Sequence, residues 1–589
     1  MWQFVKYSLA TVVGLFLFAI VSLLLLAGVG AAMGSSDEVY DLKDNSVLKL
    51  DLNRPIVENA TTEDNPFAAL TDLYFAPPEN LGLIQVLSAL ERAKVDPKIK
   101  GIYLDASFPI AGYAQLSEIR EAIQKFQKSG KFVYAYANSY TEKGYYISSV
   151  ADKTYLNPNG LLDFNGISVQ YTFYKKALDK LEIEPLVFRV GTYKSAVEPF
   201  IREDMSEENK AQTSSFLQSI NTYVFDKIAR SKNIPVRKLD LIADSLQAFE
   251  PSNAEKLGMV KQGYWDEFEA LLKKGSGEKE KVIYVSVNNY LKAKNPIDEV
   301  EGKDRIAVLV AEGEISGTRA SEGNIGSDDF VKELKKLRES KSVKAIVLRI
   351  DSPGGSSLAS DIMWREIELT KKVKPIISSM SNYAASGGYY MAMGTDVIVA
   401  QPTTITGSIG IFAAWFNVDN FLKNTLGITQ DHVNTHANSN FMNSAGALTD
   451  FQKSVVQNSV NKGYLSFTTK AAAGRKMTLQ RLQSLAGGRV WTGAQAKQIG
   501  LVDELGGLDK AIEIAAAKVK LKPGTYKVSV YPKAKSFVEE LLNSATSETS
   551  LSERLLAKNI PWASSVLEVN RWKKREGFLA MMPYLMEFE

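Results

Sequence analysis

The sequence predicts an α/β protein made of two tandem copies of one domain behind a membrane-spanning N-terminal helix. Three observations predict it. Residues 8–33 carry no charged side chain. The chain aligns with itself at an offset of 244 residues. Within each copy, short apolar runs alternate with stretches of helical periodicity, the pattern of parallel βαβ units with right-handed crossovers.

The anchor comes first. From Ser8 to Met33 the run of Leu, Val, Ala, Phe and Gly is long enough, at about 1.5 Å per residue, to cross a hydrocarbon core of about 30 Å. A cleaved secretory signal is the competing reading, and the small residues Gly30, Ala31 and Ala32 keep it open. Lys6 precedes the run and Ser35-Ser-Asp-Glu38 follows it. The positive-inside rule therefore puts residues 1–7 in the cytoplasm and the rest of the chain outside.

The duplication is read residue by residue. Ile99-Lys-Gly-Ile102 falls on Val343-Lys-Ala-Ile346, Pro109 on Pro353, and Gly144-Tyr-Tyr146 on Gly388-Tyr-Tyr390. Asp152 meets Asp396, Pro158 meets Pro402 and Gly166 meets Gly410. With small shifts Leu257-Gly-Met-Val260 matches Ile499-Gly-Leu-Val502, and Val285-Ser-Val287 matches Val528-Ser-Val530. So long a period means a duplicated domain and not a solenoid. The copies span 46–293 and 305–537, with a linker at 294–304 and a tail at 538–589 that has no repeat partner. The tail ends in the apolar Gly577-Phe-Leu-Ala-Met-Met-Pro-Tyr-Leu-Met586, suited to packing, to a neighbouring subunit or to a membrane.

In the second copy Ile306–Val310, Ala345–Ile350 and Pro375–Ser379 read as buried strands, and Asp328–Arg338 and Leu358–Lys372 as helices.

Composition then limits the chemistry. The 70 basic and 67 acidic side chains give a net charge of +3, with no excess to attract a polyanion, so nucleic acid is not an expected partner. With no cysteine, disulfides, thiolate nucleophiles and thiolate metal sites are excluded. The two histidines, His432 and His436, are the sole candidates for a histidine base or ligand, and nothing near them resembles a nucleophile turn.

Differences between the copies mark the candidate site. Ser381-Asn-Tyr-Ala-Ala-Ser-Gly-Gly-Tyr-Tyr390 puts Ser386 at a strand-to-helix turn, with small neighbours Ala384, Ala385, Gly387 and Gly388. A helix N-terminus there supplies unpaired N–H groups and positive potential. The first copy has Glu142 in place of the serine and Lys143 in place of Gly387. An N-cap role for Ser386 is the alternative.

A serine nucleophile needs a base, and a desolvated lysine can serve. Lys194 follows the apolar run Pro185–Val190 and the turn at Gly191, between Tyr193 and Ala196. At or near its place the second copy has Ser439. One copy would thus keep the base and the other the nucleophile. For oxyanion donors, Asp351-Ser-Pro-Gly-Gly-Ser356 carries the pair Gly354–Gly355, absent from Phe108-Pro-Ile-Ala-Gly112, and Gly387 adds an amide at the helix start. In Thr406-Gly-Ser-Ile-Gly410, Ser408 is a candidate to orient Lys194.

Taken together, the anchor, the duplication, Tyr-Lys-Ser-Ala (193–196), Asp-Ser-Pro-Gly-Gly (351–355), Tyr-Ala-Ala-Ser-Gly-Gly-Tyr-Tyr (383–390) and Thr-Gly-Ser-Ile-Gly (406–410) resemble the long form of the bacterial signal peptide peptidase A, or protease IV, family. The resemblance covers nearly the whole chain. It implies two Clp-protease/crotonase-like domains and a Ser/Lys dyad shared between them, with Ser386 as nucleophile, Lys194 as base and Gly354 and Gly355 in the oxyanion region. It also implies a homotetramer on the bacterial cytoplasmic membrane, catalytic domains in the periplasm, and hydrophobic, already released signal peptides as substrates. No cofactor or metal is required. Two rivals are a crotonase-like acyl-CoA enzyme and an inert membrane scaffold, the latter requiring Ser386 and Lys194 to lie more than about 7 Å apart.

Overall fold

Strands buried on both faces are written as continuous apolar runs, and the central strands of the second copy, Arg305–Glu312 and Val343–Ser352, are of this kind. They pair in parallel, Ile306 opposite Ala345 through Glu312 opposite Asp351. The computed structural model describes residues 40–60, 80–294, 303–317, 323–441, 446–533 and 579–581, with scattered positions between 2 and 21.

The two copies build one topology twice. In the first, the strand order is Lys261–Gln262, Lys153–Leu162, Phe132–Tyr140, Ile99–Asp105, Ser46–Asp51, Tyr284–Ser286. In the second it is Val490–Thr492, Ile405–Gly407, Ile376–Ala385, Val343–Ser352, Arg305–Glu312, Lys527–Tyr531. Val397–Ala400 and Ile405–Gly407 together stand where Lys153–Leu162 stands, and Glu504–Leu505 pairs with Val399–Ala400 as Lys261–Gln262 pairs with Tyr155–Leu156. Helices Ser327–Glu339 and Ser357–Lys371 lie where the periodicity predicts them.

One strand is longer than its apolar run. Ile376–Ala385 continues six residues past Ser379 because its pairing with Val343–Ser352 shifts register between Ile350 and Ser352 and resumes at Ser352 opposite Ala384. That irregularity carries the strand to the residue before Ser386.

Core and polar contacts fuse the copies. Ala385, Ile405 and Val490 of the second copy pack in the first copy's hydrophobic core. Between the copies, fully buried Arg349 donates to Glu58 at 2.6 Å, Glu118 at 2.7 Å, Ser379 at 2.8 Å and Ser381 at 3.0 Å. Glu58 and Glu118 come from the first copy, so a buried charge on one half is satisfied by the other.

A third sheet draws on both copies and the tail: Asn324–Gly326, Glu314–Gly317, Gly354–Ser356, Leu579–Met581, Phe412–Asn417, Glu184–Arg189. The apolar end of the tail thus contributes a strand within its own chain. Among the described residues no helix is long and apolar enough to cross a membrane. The run 8–33 read as an anchor lies largely outside the described residues, as do most of the linker 294–304 and of the tail 538–589.

Candidate active site

The site begins with a backbone that most residues avoid. Ser386 sits between strand Ile376–Ala385 and helix Gly387–Ala392 with φ 54° and ψ −109°. Its N–H donates to Gly407 O at 2.8 Å and its carbonyl accepts from Tyr390 N at 2.8 Å. Such a conformation costs about 1–3 kcal/mol and persists only where the surroundings enforce it. Ser386 occupies the N-cap position, but its side chain makes no capping bond. A Cβ on Gly388 would come within 2.6 Å of Ser352 O, so the helix start packs directly on the Asp351–Ser356 loop.

The hydroxyl is bonded instead to Lys194. Lys194 Nζ lies 2.8 Å from Ser386 Oγ, 3.0 Å from Ser408 Oγ and 3.1 Å from Ser408 O. All three residues are fully buried. Burial, with no carboxylate to offset it, holds the Lys194 ammonium well below the ordinary lysine range. A neutral amine at that distance is placed to accept the hydroxyl proton. The separation is also far inside the limit beyond which an inert scaffold was expected.

The lysine is held from both copies. Strand Glu184–Arg189 pairs antiparallel with Phe412–Asn417, Arg189 opposite Phe412, which brings the Gly191 turn (φ 93°) over the second copy. Tyr193 N then donates to Gly487 O at 3.1 Å, and Arg189 Nη1 donates to Lys194 O at 3.2 Å. Gln212 Nε2 reaches Tyr193 O and Ser195 Oγ. Two glycines make room: a Cβ on Gly488 would stand 2.6 Å from Lys194 Cβ, and one on Gly410 would stand 3.3 Å from Lys194 Cδ.

Gly487, Gly488 and Gln212 were not among the residues the sequence singled out. The signal that could have found Gly488 is the one used for Ser386. In the register that sets Leu257 on Ile499, Gly488 falls on Leu246 of the first copy.

The remaining candidates divide. Gly354 and Gly355 both have positive φ, 102° and 153°, and the Gly354 N–H donates to Ser352 Oγ at 3.2 Å. Gly387 opens the helix after Ser386. Ser408, at φ 48°, touches Lys194 directly. Ser439 lies exposed beside His436, whose N–H donates to its Oγ at 3.0 Å. Both histidines are exposed.

Comparison with known proteins bears on both copies. Residues 125–278 and 368–522 each match Peptidase family S49, one match in each copy. Protease 4 of Haemophilus influenzae is 36% identical over 464 residues, 76% of this chain and 75% of that one. Protease 4 of Salmonella typhi is 34% identical over 540 residues, 88% of this chain and 85% of that one. The chloroplastic serine protease SPPA of Arabidopsis thaliana is 34% identical over 452 residues, 75% and 66% of the two chains.

Proposed function

As the chain belongs to Peptidase family S49 and is a serine protease, we propose that Ser386 is its nucleophile, Lys194 its general base, and released signal peptides its substrates. The observation that carries the dyad is the 2.8 Å bond between two fully buried side chains supplied by different copies.

In this reading neutral Lys194 takes the Ser386 proton as Oγ attacks the peptide carbonyl, and the lysinium then protonates the departing amine. Ser386 is left acylated. Water, deprotonated by the same lysine, attacks the ester, and the acid product leaves with Ser386 restored. Oxyanion donors come from the amides of the Gly354–Gly355 pair and of Gly387, which opens the helix after Ser386. Ser408 holds the lysine through two acceptor oxygens. No step calls on a cofactor.

The same reading assigns Clp-protease/crotonase-like folds to both copies, an anchor at 8–33 in a bacterial cytoplasmic membrane, catalytic domains in the periplasm, and a homotetramer. The charge asymmetry around the uncharged N-terminal run supports the placement. An apolar, extended peptide suits a site walled by Val197 and Phe412. A crotonase-like acyl-CoA enzyme needs paired amides but no lysine on a serine, so the Lys194 bond favours peptide hydrolysis.

The test is hydrolysis of an unfolded leucine- and alanine-rich peptide by the detergent-solubilised chain beside Ser386→Ala and Lys194→Arg. Cleavage confined to the unmutated chain is expected. Equal cleavage by either variant would remove that residue from the mechanism.

A further inference from the structure

A slot one strand wide runs between the elements that carry the active groups. One wall is Gly354–Ser356; the other is Phe412–Asn417, which starts four residues after Ser408 and pairs onward with the strand leading to Lys194. In this chain the slot is filled. Leu579–Met581 pairs antiparallel with the first wall, Gly354 opposite Met581, Gly355 opposite Ala580 and Ser356 opposite Leu579. Leu579 also pairs with Phe412.

The side chains fit as well as the backbone. Leu579 and Met581, each 5% exposed, form one apolar cluster with Ala196, Val197 and Phe412, with Val187 packed against it. Ala196 and Val197 lie two and three residues after Lys194, so one turn supplies both the amine and the pocket wall. Residues two apart on a strand point to the same face, which is why Leu579 and Met581 enter the pocket together.

The direction of the tail decides what it imitates. It runs from Ser356 towards Gly354, and continuing leads to Ser352, whose strand partner Ala384 lies two residues before Ser386. A substrate laid the same way has its acyl side along the glycine pair and its next peptide bond at the nucleophile. Strand addition between two open edges is a general way to hold an extended peptide.

The geometry points to residues 579–581 as an intramolecular occupant of the substrate strand position, with Met581 filling the pocket for the residue before the cut bond and Leu579 that for the residue two places earlier. This inference rests on Ser386 being the nucleophile. Leu579–Met581 belongs to the same chain as the site, so it competes intramolecularly with peptides that must bind from solution. Such an occupant raises KM and leaves kcat alone, and it marks the enzyme as one that prefers Leu- and Met-like side chains at those two places.

Three forms of the full protein test this: the unmutated chain, a deletion of residues 577–589, and Leu579→Asp/Met581→Asp. On the leucine- and alanine-rich peptide both variants are expected to show KM lowered by about tenfold with kcat unchanged. Identical constants in all three forms would overturn the assignment. So would loss of hydrolysis in both variants with unchanged circular dichroism, because the strand would then be a structural part of the site. A synthetic peptide of residues 577–586 should bind the deletion form and displace substrate competitively; no binding refutes occupancy. Because that binding is read by fluorescence without turnover, it stands even if Ser386→Ala shows that the nucleophile was misassigned.

Discussion

At one place in each copy the same strand-turn-helix scaffold was resolved in opposite ways. In the first copy the helix Glu142–Ser148 begins with a relaxed cap: Thr141 has φ −75°, and its hydroxyl accepts from Gly144 N at 3.2 Å. The Glu142 carboxylate, in the place that Ser386 takes in the other copy, accepts from Asn165 N at 3.1 Å and Gly166 N at 2.6 Å. Gly166 is the counterpart of Gly410, beside Lys194 in the other copy. The first site is therefore sealed by a side chain that fills its own cavity. In the second copy the cap position holds Ser386 at φ 54° with no capping bond, and the cavity is filled from outside by Lys194. What differs is where strain is kept. A fold that repeats its scaffold can relax one site and keep the other strained: Gly407 O and Tyr390 N hold the Ser386 turn from its own copy, while Arg349 braces the two copies on each other.

The comparison breaks most sharply if the sealed site can be revived. Ser386→Ala and Lys194→Arg should each lower hydrolysis by at least about a thousandfold, since an alanine cannot form the ester and a guanidinium does not give up its proton. Adding Glu142→Ser and Lys143→Gly to Ser386→Ala should restore nothing in the peptide assay, because Ser439, at the corresponding place for a base, lies exposed. Mutual bracing is tested by Arg349→Met, which strips the buried Glu58 and Glu118 of their cation and should lower unfolding free energy by about 3–5 kcal/mol in denaturant melts.

The sealed site also carries a pH signature. Burial pushes the Glu142 carboxyl up to about 7 from an ordinary value of 4.5. The folded chain then keeps a proton that the unfolded chain has released, so stability from this group falls as pH rises from about 4.5 to about 7, by about 3 kcal/mol. Glu142→Gln should remove that slope, measured as melting temperature at pH 5 and pH 8. In the proposed dyad the sign is opposite: with neutral Lys194 as the base, kcat/KM should climb with pH through the lysine's lowered pKa, and a flat profile from pH 5 to 9 would count against it. The smallest effect is Ser408→Ala, which leaves the Ser408 carbonyl in place and should cost about tenfold in kcat with KM unchanged.

Where local pattern and local structure share a cause, the sequence was readable. Apolar runs at 306–310 and 345–350 are strands because both faces are buried. Ser386 was visible because the copies differ there, and the same contrast would have exposed Gly488. Strand Ile376–Ala385 was read six residues short because Ser381 and Asn382 interrupt the apolar run after Met380, and the pairing of its end depends on a register shift against the neighbouring strand.

The chain order alone determined that a domain is duplicated, that only one copy retains a serine at the turn, and that histidine and cysteine are too scarce to build a site. Periodicity and composition are properties of the string, and they survive without coordinates. Tertiary structure decided the rest. It set Lys194 at 2.8 Å from a serine 192 residues away, turned Gly354 towards Ser352, and laid the tail between Gly354–Ser356 and Phe412. Those outcomes depend on which strand edges remain open once both copies have packed, and open edges arise only when the sheets are assembled.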